Sequence, residues 1–198
     1  MSNLLFRQNQ KNGHYDMDGM PPPRRNARSA RYSDKDVNIG IKAENRKMIV
    51  DRMSVVLADT YCLYLKTQNF HWNVTGENFY STHLLFEKQY KELAEQVDLI
   101  AERIRALGFR APATFSEFVD LSSISEEQTA PNALEMIEIL LAGYEVAIQS
   151  TEQAYPFAEK FKDISSSDLL CKLTEAFQKS AWMLRSHLGI KSNADQLL

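Results

Sequence analysis

Two histidines and three carboxylates, His71, His83, Glu87, Asp98 and Glu102, fall within the stretch Asn69–Arg103 of this 198-residue chain. Imidazole nitrogen and carboxylate oxygen together form a donor set suited to iron, manganese or zinc. Residues 78–107 read as one helix. With Glu87 as zero and ~100° per residue, His83 falls near −40°, Asp98 near +20° and Glu102 near +60°. All share one face. Their axial separation is the difficulty: His83 and Asp98 lie roughly 22 Å apart at ~1.5 Å per residue, against a metal–ligand bond of about 2 Å. One straight helix cannot bring both ends of this set to one ion. Two copies related by a two-fold axis can, with the histidine of one meeting the acids of the other and the contact repeating to give two identical sites. His71 reaches the same place because the Thr75–Gly76 turn folds the end of one helix beside the start of the next.

Taken singly, each residue has an ordinary alternative. A histidine in an apolar stripe is commonly a packed core residue, Asp98 and Glu102 suit a solvated helix face, and Glu87 can pair with Lys88 or Lys91. Only their combination in one stretch raises the metal reading, and the spacing alone leaves both readings open.

Four long amphipathic segments must position these groups. The first, 39–74, places Ile49, Met53, Val56, Leu57 and Tyr64 at helical spacing. Gly76 follows it, as glycine commonly follows a helix C-terminus. The second, 78–107, carries Phe79, His83, Phe86, Tyr90, Leu93, Val97, Ile100, Ile104 and Leu107 on one stripe and stops at Gly108. A polar connection, 111–130, contains "FSEFVDL", a short helix of its own. The third segment follows Pro131, with Asn132 as N-cap and Glu135 completing a capping box. Pro156 is expected to kink or weaken its last turns. The fourth is expected to start at the caps in "SSSD" (Ser165–Asp168) and carries Leu170, Leu173, Phe177, Ala181, Leu184 and Leu188. No strand-like alternation of useful length appears, so the predicted class is an all-α four-helix bundle. The domain reading is a basic, disordered arm over 1–36, the bundle over 37–190 and a short tail over 191–198.

Hydrophobic content of 44% and charged content of 25% are ordinary for a globular protein. Cys62 and Cys171 sit in apolar helical stretches and read as small buried hydrophobes, which fits a reducing compartment. No apolar run reaches the ~18 residues of a membrane span, and "LLF" falls short of a signal-peptide core, so a cytoplasmic location is expected. Six basic groups against two acidic ones make residues 1–33 +4, which leaves −7 for the rest of a chain of net charge −3. A basic arm on an acidic body suggests a polyanion for the arm and a cation for the body. Arg24, Arg25, Arg28 and Arg31, in "PPPRRNARSAR", are the candidate contacts to DNA phosphates, made without sequence readout. A merely solubilising tail, or one clamped to the body, is the alternative.

The stretches "LADTYCLYLKTQNFHWNVTG", "FYSTHLLFEKQY", "LAEQVDLIAERIRALG" and "WMLRSHL" resemble the Dps family, DNA-binding proteins from starved cells and miniature members of the ferritin superfamily. The resemblance covers residues 39–188. It implies a ferritin-like bundle, a hollow homododecamer and ferroxidase centres at the dimer two-fold, with His71 and His83 from one subunit and Asp98 and Glu102 from the other. Glu87 takes the place of a further carboxylate ligand where the family often has Asp, and Trp72 that of an aromatic able to quench oxidising equivalents. The implied chemistry is oxidation of Fe(II) pairs, preferably by hydrogen peroxide, with ferric mineral stored in the cavity and DNA protected in the nucleoid. Asp163 and Asp168 are candidates for an acidic iron-entry pore. The competing reading is a structural DNA-compacting nucleoid protein with a vestigial metal site.

Overall fold

The computed structural model describes residues 37–189. The expected arm, including Arg24, Arg25, Arg28 and Arg31, and the expected tail lie outside the described residues. Five helices make up the described part: α1 (Ala43–Asn73), α2 (Phe79–Ala106), α3 (Phe115–Leu121), α4 (Ala133–Lys160) and α5 (Ile164–His187). No strand occurs among the described residues. The long helices form the expected four-helix bundle, and α3 is the expected short helix of the connection.

Each of the four long helices packs on two other long helices. The α1–α2 hairpin joins Arg46 to Leu107 at one end and His71 to His83 at the other. Asp59 of α1 lies beside Ser150 of α4, and Leu63 lies beside Gly143, so these two helices are also antiparallel. Helix α2 meets α5 through Gln89–Ser180 and Arg103–Asp163, and α4 meets α5 through Tyr144–Phe177 and Thr151–Thr174. It follows that α2 and α4 run parallel across the bundle, which is why a long connection must return the chain between them. The core is built from the expected stripes: Ile49, Met53, Val56 and Leu57; Phe86, Leu93, Ile100, Ile104 and Leu107; Ile137, Leu140 and Tyr144; Leu170, Leu173, Phe177, Ala181 and Leu184 are all buried.

Local chemistry fixes the helix ends. The Asn132 side chain accepts from Leu134 N–H and Glu135 N–H while Glu135 reaches back to Asn132 N–H, so the capping box read from the sequence is present. A second box closes α3, between Thr114 and Glu117. Arg110 also grips Glu117 and, with the turn's N–H groups, holds that carboxyl far below the ordinary range. Helix α1 begins at Ala43 rather than 39, because Gly40 adopts φ +78° and cannot continue a right-handed helix. Gly108 has φ +95°, and a Cβ there would stand 2.7 Å from the Arg46 guanidinium and 2.9 Å from Val37. Only glycine lets α2 end so close to Arg46, whose Nη1 donates to the Leu107 carbonyl at 2.6 Å.

Two expectations fail. The start of α5 is capped by Asp163, not by the Ser165–Asp168 cluster, since the Asp163 carboxylate accepts from Ser166 N–H at 3.2 Å and is held in place by Arg103. Nor are the cysteines buried hydrophobes: Cys62 is half-buried, Cys171 is exposed, and both are free thiols. Burial raises the Cys62 pKa, so its thiol stays protonated. One buried carboxylate, Asp59, ties the end of α3 to α1 by accepting from Ser122 Oγ at 2.9 Å and Ser123 N–H at 2.7 Å. Desolvation outweighs these bonds and raises its pKa.

Candidate metal centre

The last turn of α1 delivers His71, and the first turns of α2 deliver His83. Between them the chain reverses over residues 74–78, with Gly76 at φ +119°. The two imidazoles stack, with centroids 3.9 Å apart and planes 21° from parallel. Each is tied to the other's backbone: His71 Nδ1 lies 3.0 Å from the His83 carbonyl oxygen, and His83 Nδ1 lies 2.9 Å from the His71 carbonyl oxygen. A carbonyl only accepts, so both rings must carry their proton on Nδ1 and donate it. In the neutral ring that leaves each Nε2 with a free lone pair, the arrangement by which a hydrogen-bond acceptor behind the ring fixes a histidine for metal ligation. Tyr90 presents an edge contact to the His71 ring at 5.1 Å, and Phe79 lies against His83 at 5.0 Å. The pair is thus held by two backbone carbonyls, by its own stacking and by two flanking rings.

Glu87 stands one turn beyond His83. Its carboxyl is held below the ordinary range, first by the hydrogen bond from Lys91 and also by the nearby imidazoles. It is therefore an anion at neutral pH, close to two imidazole rings. A cation of intermediate softness fits this set.

Asp98 and Glu102 do not join it within the chain. Both are exposed on α2, which runs unbroken from Phe79 to Ala106. Among the described residues no group of three or more His, Cys, Asp or Glu side chains lies close enough to hold a metal ion. Of the other expected residues, Trp72 is 65% exposed beside the pair. Asp163 is buried in its ion pair, which removes it as a pore-lining acid, whereas Asp168 is exposed and paired with Lys172 at 2.7 Å. His187 is exposed in the last turn of α5. Met53, on the apolar stripe of α1, is fully buried inside the bundle. The contribution of Tyr90 as a wall behind His71 was not read from the sequence, though its place on the α2 stripe is the signal.

Fold and site together define a ferritin-like four-helix protein carrying an oriented imidazole pair. The model of the ferritin-like domain family matches residues 51–192. The chain is 36% identical over 143 residues to DNA protection during starvation protein 2 of Bacillus anthracis, covering 72% of this chain and 98% of that one. It is 34% identical to an uncharacterized low temperature-induced protein of Nostoc, over 77% of this chain and 86% of the relative. Among solved structures, the Dps protein of Vibrio cholerae O1, described as a member of a broad superfamily of ferritin-like diiron-carboxylate proteins, matches with a TM-score of 0.74 and 25% identity over 77% of this chain and 96% of its own. This chain belongs to the Dps family.

Proposed function

We propose that the protein is a ferroxidase and iron store that oxidises Fe(II), preferably with hydrogen peroxide, at di-iron sites shared between two subunits. His71 and His83 come from one subunit, Asp98 and Glu102 from its mate, and Glu87 serves as a further carboxylate beside the imidazoles. The observation that carries this reading is the reciprocal Nδ1–carbonyl bonding of the two histidines, which leaves two lone pairs unused within the chain. The α2 face that bears the acids supports it. Tyr80 at 73%, Leu84 at 42% and Leu99 at 51% exposure lie with Asp98 and Glu102 within an arc of about 100°, an apolar face suited to burial against a second copy.

In this reading the imidazoles and acids hold two Fe(II) ions, each with few strong ligands, so that Fe(III) can leave for the cavity. Two electrons from the iron pair reduce peroxide to water and release no hydroxyl radical. Iron storage and DNA protection then follow from one chemistry, in a shell of twelve copies in the cytoplasm, associated with the nucleoid. No helix of the described residues is long and apolar enough to cross a membrane. The test is peroxide-driven oxidation of Fe(II) by the purified protein. We expect His71→Ala and Asp98→Ala each to slow it by more than the 10- to 100-fold that loss of a mere supporting partner costs. Rates equal to the parent's in both variants would remove the assignment.

The arm extends the function. Arg24, Arg25, Arg28 and Arg31 can release counterions from DNA phosphates, and repetition of the arm around a shell makes weak contacts multivalent. Replacement of all four by Ala is expected to abolish retardation of DNA in low-salt gels while leaving Fe(II) oxidation intact. Unchanged retardation would assign DNA protection to the iron chemistry alone.

A further inference from the structure

The aromatic contacts around the imidazole pair continue away from it in an unbroken series. Tyr90 touches His71, and its ring lies 6.3 Å from that of Tyr64. Tyr64 lies 5.8 Å from Tyr61, and Tyr61 stacks at 4.4 Å and 21° on Phe118 of α3. Along α1 the residues Tyr61, Tyr64 and His71 are spaced by three and seven, which puts them on one face, and Tyr90 enters from α2 to fill the gap. All three phenols are half-buried. The far member, Tyr61, lines a cleft between α1 and α3 together with Leu65, Phe118 and Val119. Three rings in succession could pack equally well as phenylalanine. Only phenols among them can lose an electron and a proton together.

We propose that Tyr90, Tyr64 and Tyr61 form a relay that carries a one-electron oxidising equivalent from the imidazole end of α1 to the α3 cleft. In its iron-dependent form this rests on the ferroxidase reading. A pair of Fe(II) ions gives peroxide two electrons, but a singly filled site gives one, and the products are then Fe(III), hydroxide and hydroxyl radical. The radical takes the phenolic hydrogen atom of Tyr90 and becomes water, leaving a Tyr90 phenoxyl. That phenoxyl takes an electron from Tyr64 and a proton from water, while Tyr64 gives its phenolic proton to water, so one phenol is remade for each one oxidised. The same exchange moves the equivalent to Tyr61. There a small enediol reductant entering the cleft returns one electron and water returns the proton. The imidazoles are spared oxidation, and the site stays competent for its next iron.

Two experiments test the relay. In the first, sub-stoichiometric Fe(II) and peroxide are freeze-quenched and the phenoxyl is read by electron paramagnetic resonance. In the second, no iron is used: a ruthenium tris-bipyridyl group on Glu77→Cys, in a Cys62→Ser/Cys171→Ser background, generates the oxidant in the α1–α2 turn by flash and quench. The share of the signal lost on Tyr61→Phe substitution locates the radical, and its decay with added ascorbate measures access from the cleft. We expect Tyr64→Phe, which keeps the ring packing, to lower the Tyr61 share severalfold and to slow the ascorbate decay severalfold in both experiments. Tyr155→Phe, placed between α4 and α5, should change neither. An unaltered Tyr61 share in Tyr64→Phe without iron overturns the relay. If the iron-free experiment shows transfer and the iron experiment yields no phenoxyl, the relay stands and its iron-dependent form fails, while the ferroxidase reading is judged separately by the rates of His71→Ala and Asp98→Ala.

Discussion

A one-to-one mixture of His71→Ala and Asp98→Ala subunits, unfolded together and reassembled, is expected to regain about a quarter of the parent's peroxide-driven Fe(II) oxidation, although neither variant alone oxidises appreciably. The figure follows from symmetry. Random pairing makes about half of the dimers mixed, and a two-fold interface gives each dimer two equivalent sites. In a mixed dimer one site receives both lesions and the other receives neither, so about half of the sites in half of the dimers are whole. A site contained within one subunit predicts no recovery at any ratio, because every chain then carries its own lesion. The structure gives reason to expect recovery, since α2 is unbroken between His83 and the acids and, among the described residues, no three candidate ligands converge. Both variants should fold. Asp98 is exposed, and His71→Ala forfeits the hydrogen bonds and ring stacking of one imidazole at the end of a hairpin. Each lost hydrogen bond costs about 1 kcal/mol, more where a buried acceptor is left unpaired. A flat activity profile across mixing ratios, with mixed assembly shown by mass spectrometry, would sink the shared site.

The sequence carried the fold because the signals for it are local. The period of the apolar stripes on α2 and α5, the Asn132–Glu135 box and the glycines at 76 and 108 each depend on residues within a turn or two of one another. What it did not carry depends on partners far along the chain. The choice of Asp163 over the serines as the cap of α5 is made by Arg103, which arrives from α2; both candidates have equally good capping side chains. The exposure of Cys171 follows from its place one residue, ~100°, away from the Leu170–Leu173–Phe177 stripe, a distinction that the apolar character of the segment conceals. At the proposed metal centre, the types and spacing of His71, His83, Asp98 and Glu102 were legible, and so was the impossibility of uniting them on one straight helix. The tautomer was not, because the groups that fix it are backbone carbonyls, and every residue has one.

Asp163→Ala is expected to destabilise the bundle by about 3–5 kcal/mol, the cost of removing one partner from a buried ion pair. Asp163 is 3% exposed, and its Oδ1 stands 2.5 Å from Arg103 Nη2. Ser166 Oγ donates to the other carboxylate oxygen at 2.5 Å while accepting from Arg103 Nε at 2.8 Å, so one side chain closes a ring of charge-assisted bonds. The same carboxylate caps α5, a function worth typically ~1 kcal/mol by itself. Alanine therefore leaves a largely buried guanidinium without its counter-charge and the first turn of α5 without a cap. Asp163→Asn separates the two effects, since the amide oxygen can still accept from Ser166 N–H while the charge is gone. It should recover the capping part and little else. Denaturant unfolding at one fixed protein concentration measures both, the concentration being held because assembly adds to apparent stability. Losses below about 1 kcal/mol in Asp163→Ala would show that Arg103 regains water once its partner is gone and is not held as a buried charge. The effect reaches the proposed iron site as well: Arg103 follows Glu102 directly on α2, so a loosened Arg103 unsettles the turn that must present Glu102 to the partner. Fe(II) oxidation is then expected to fall in Asp163→Ala even at temperatures where the bundle remains folded.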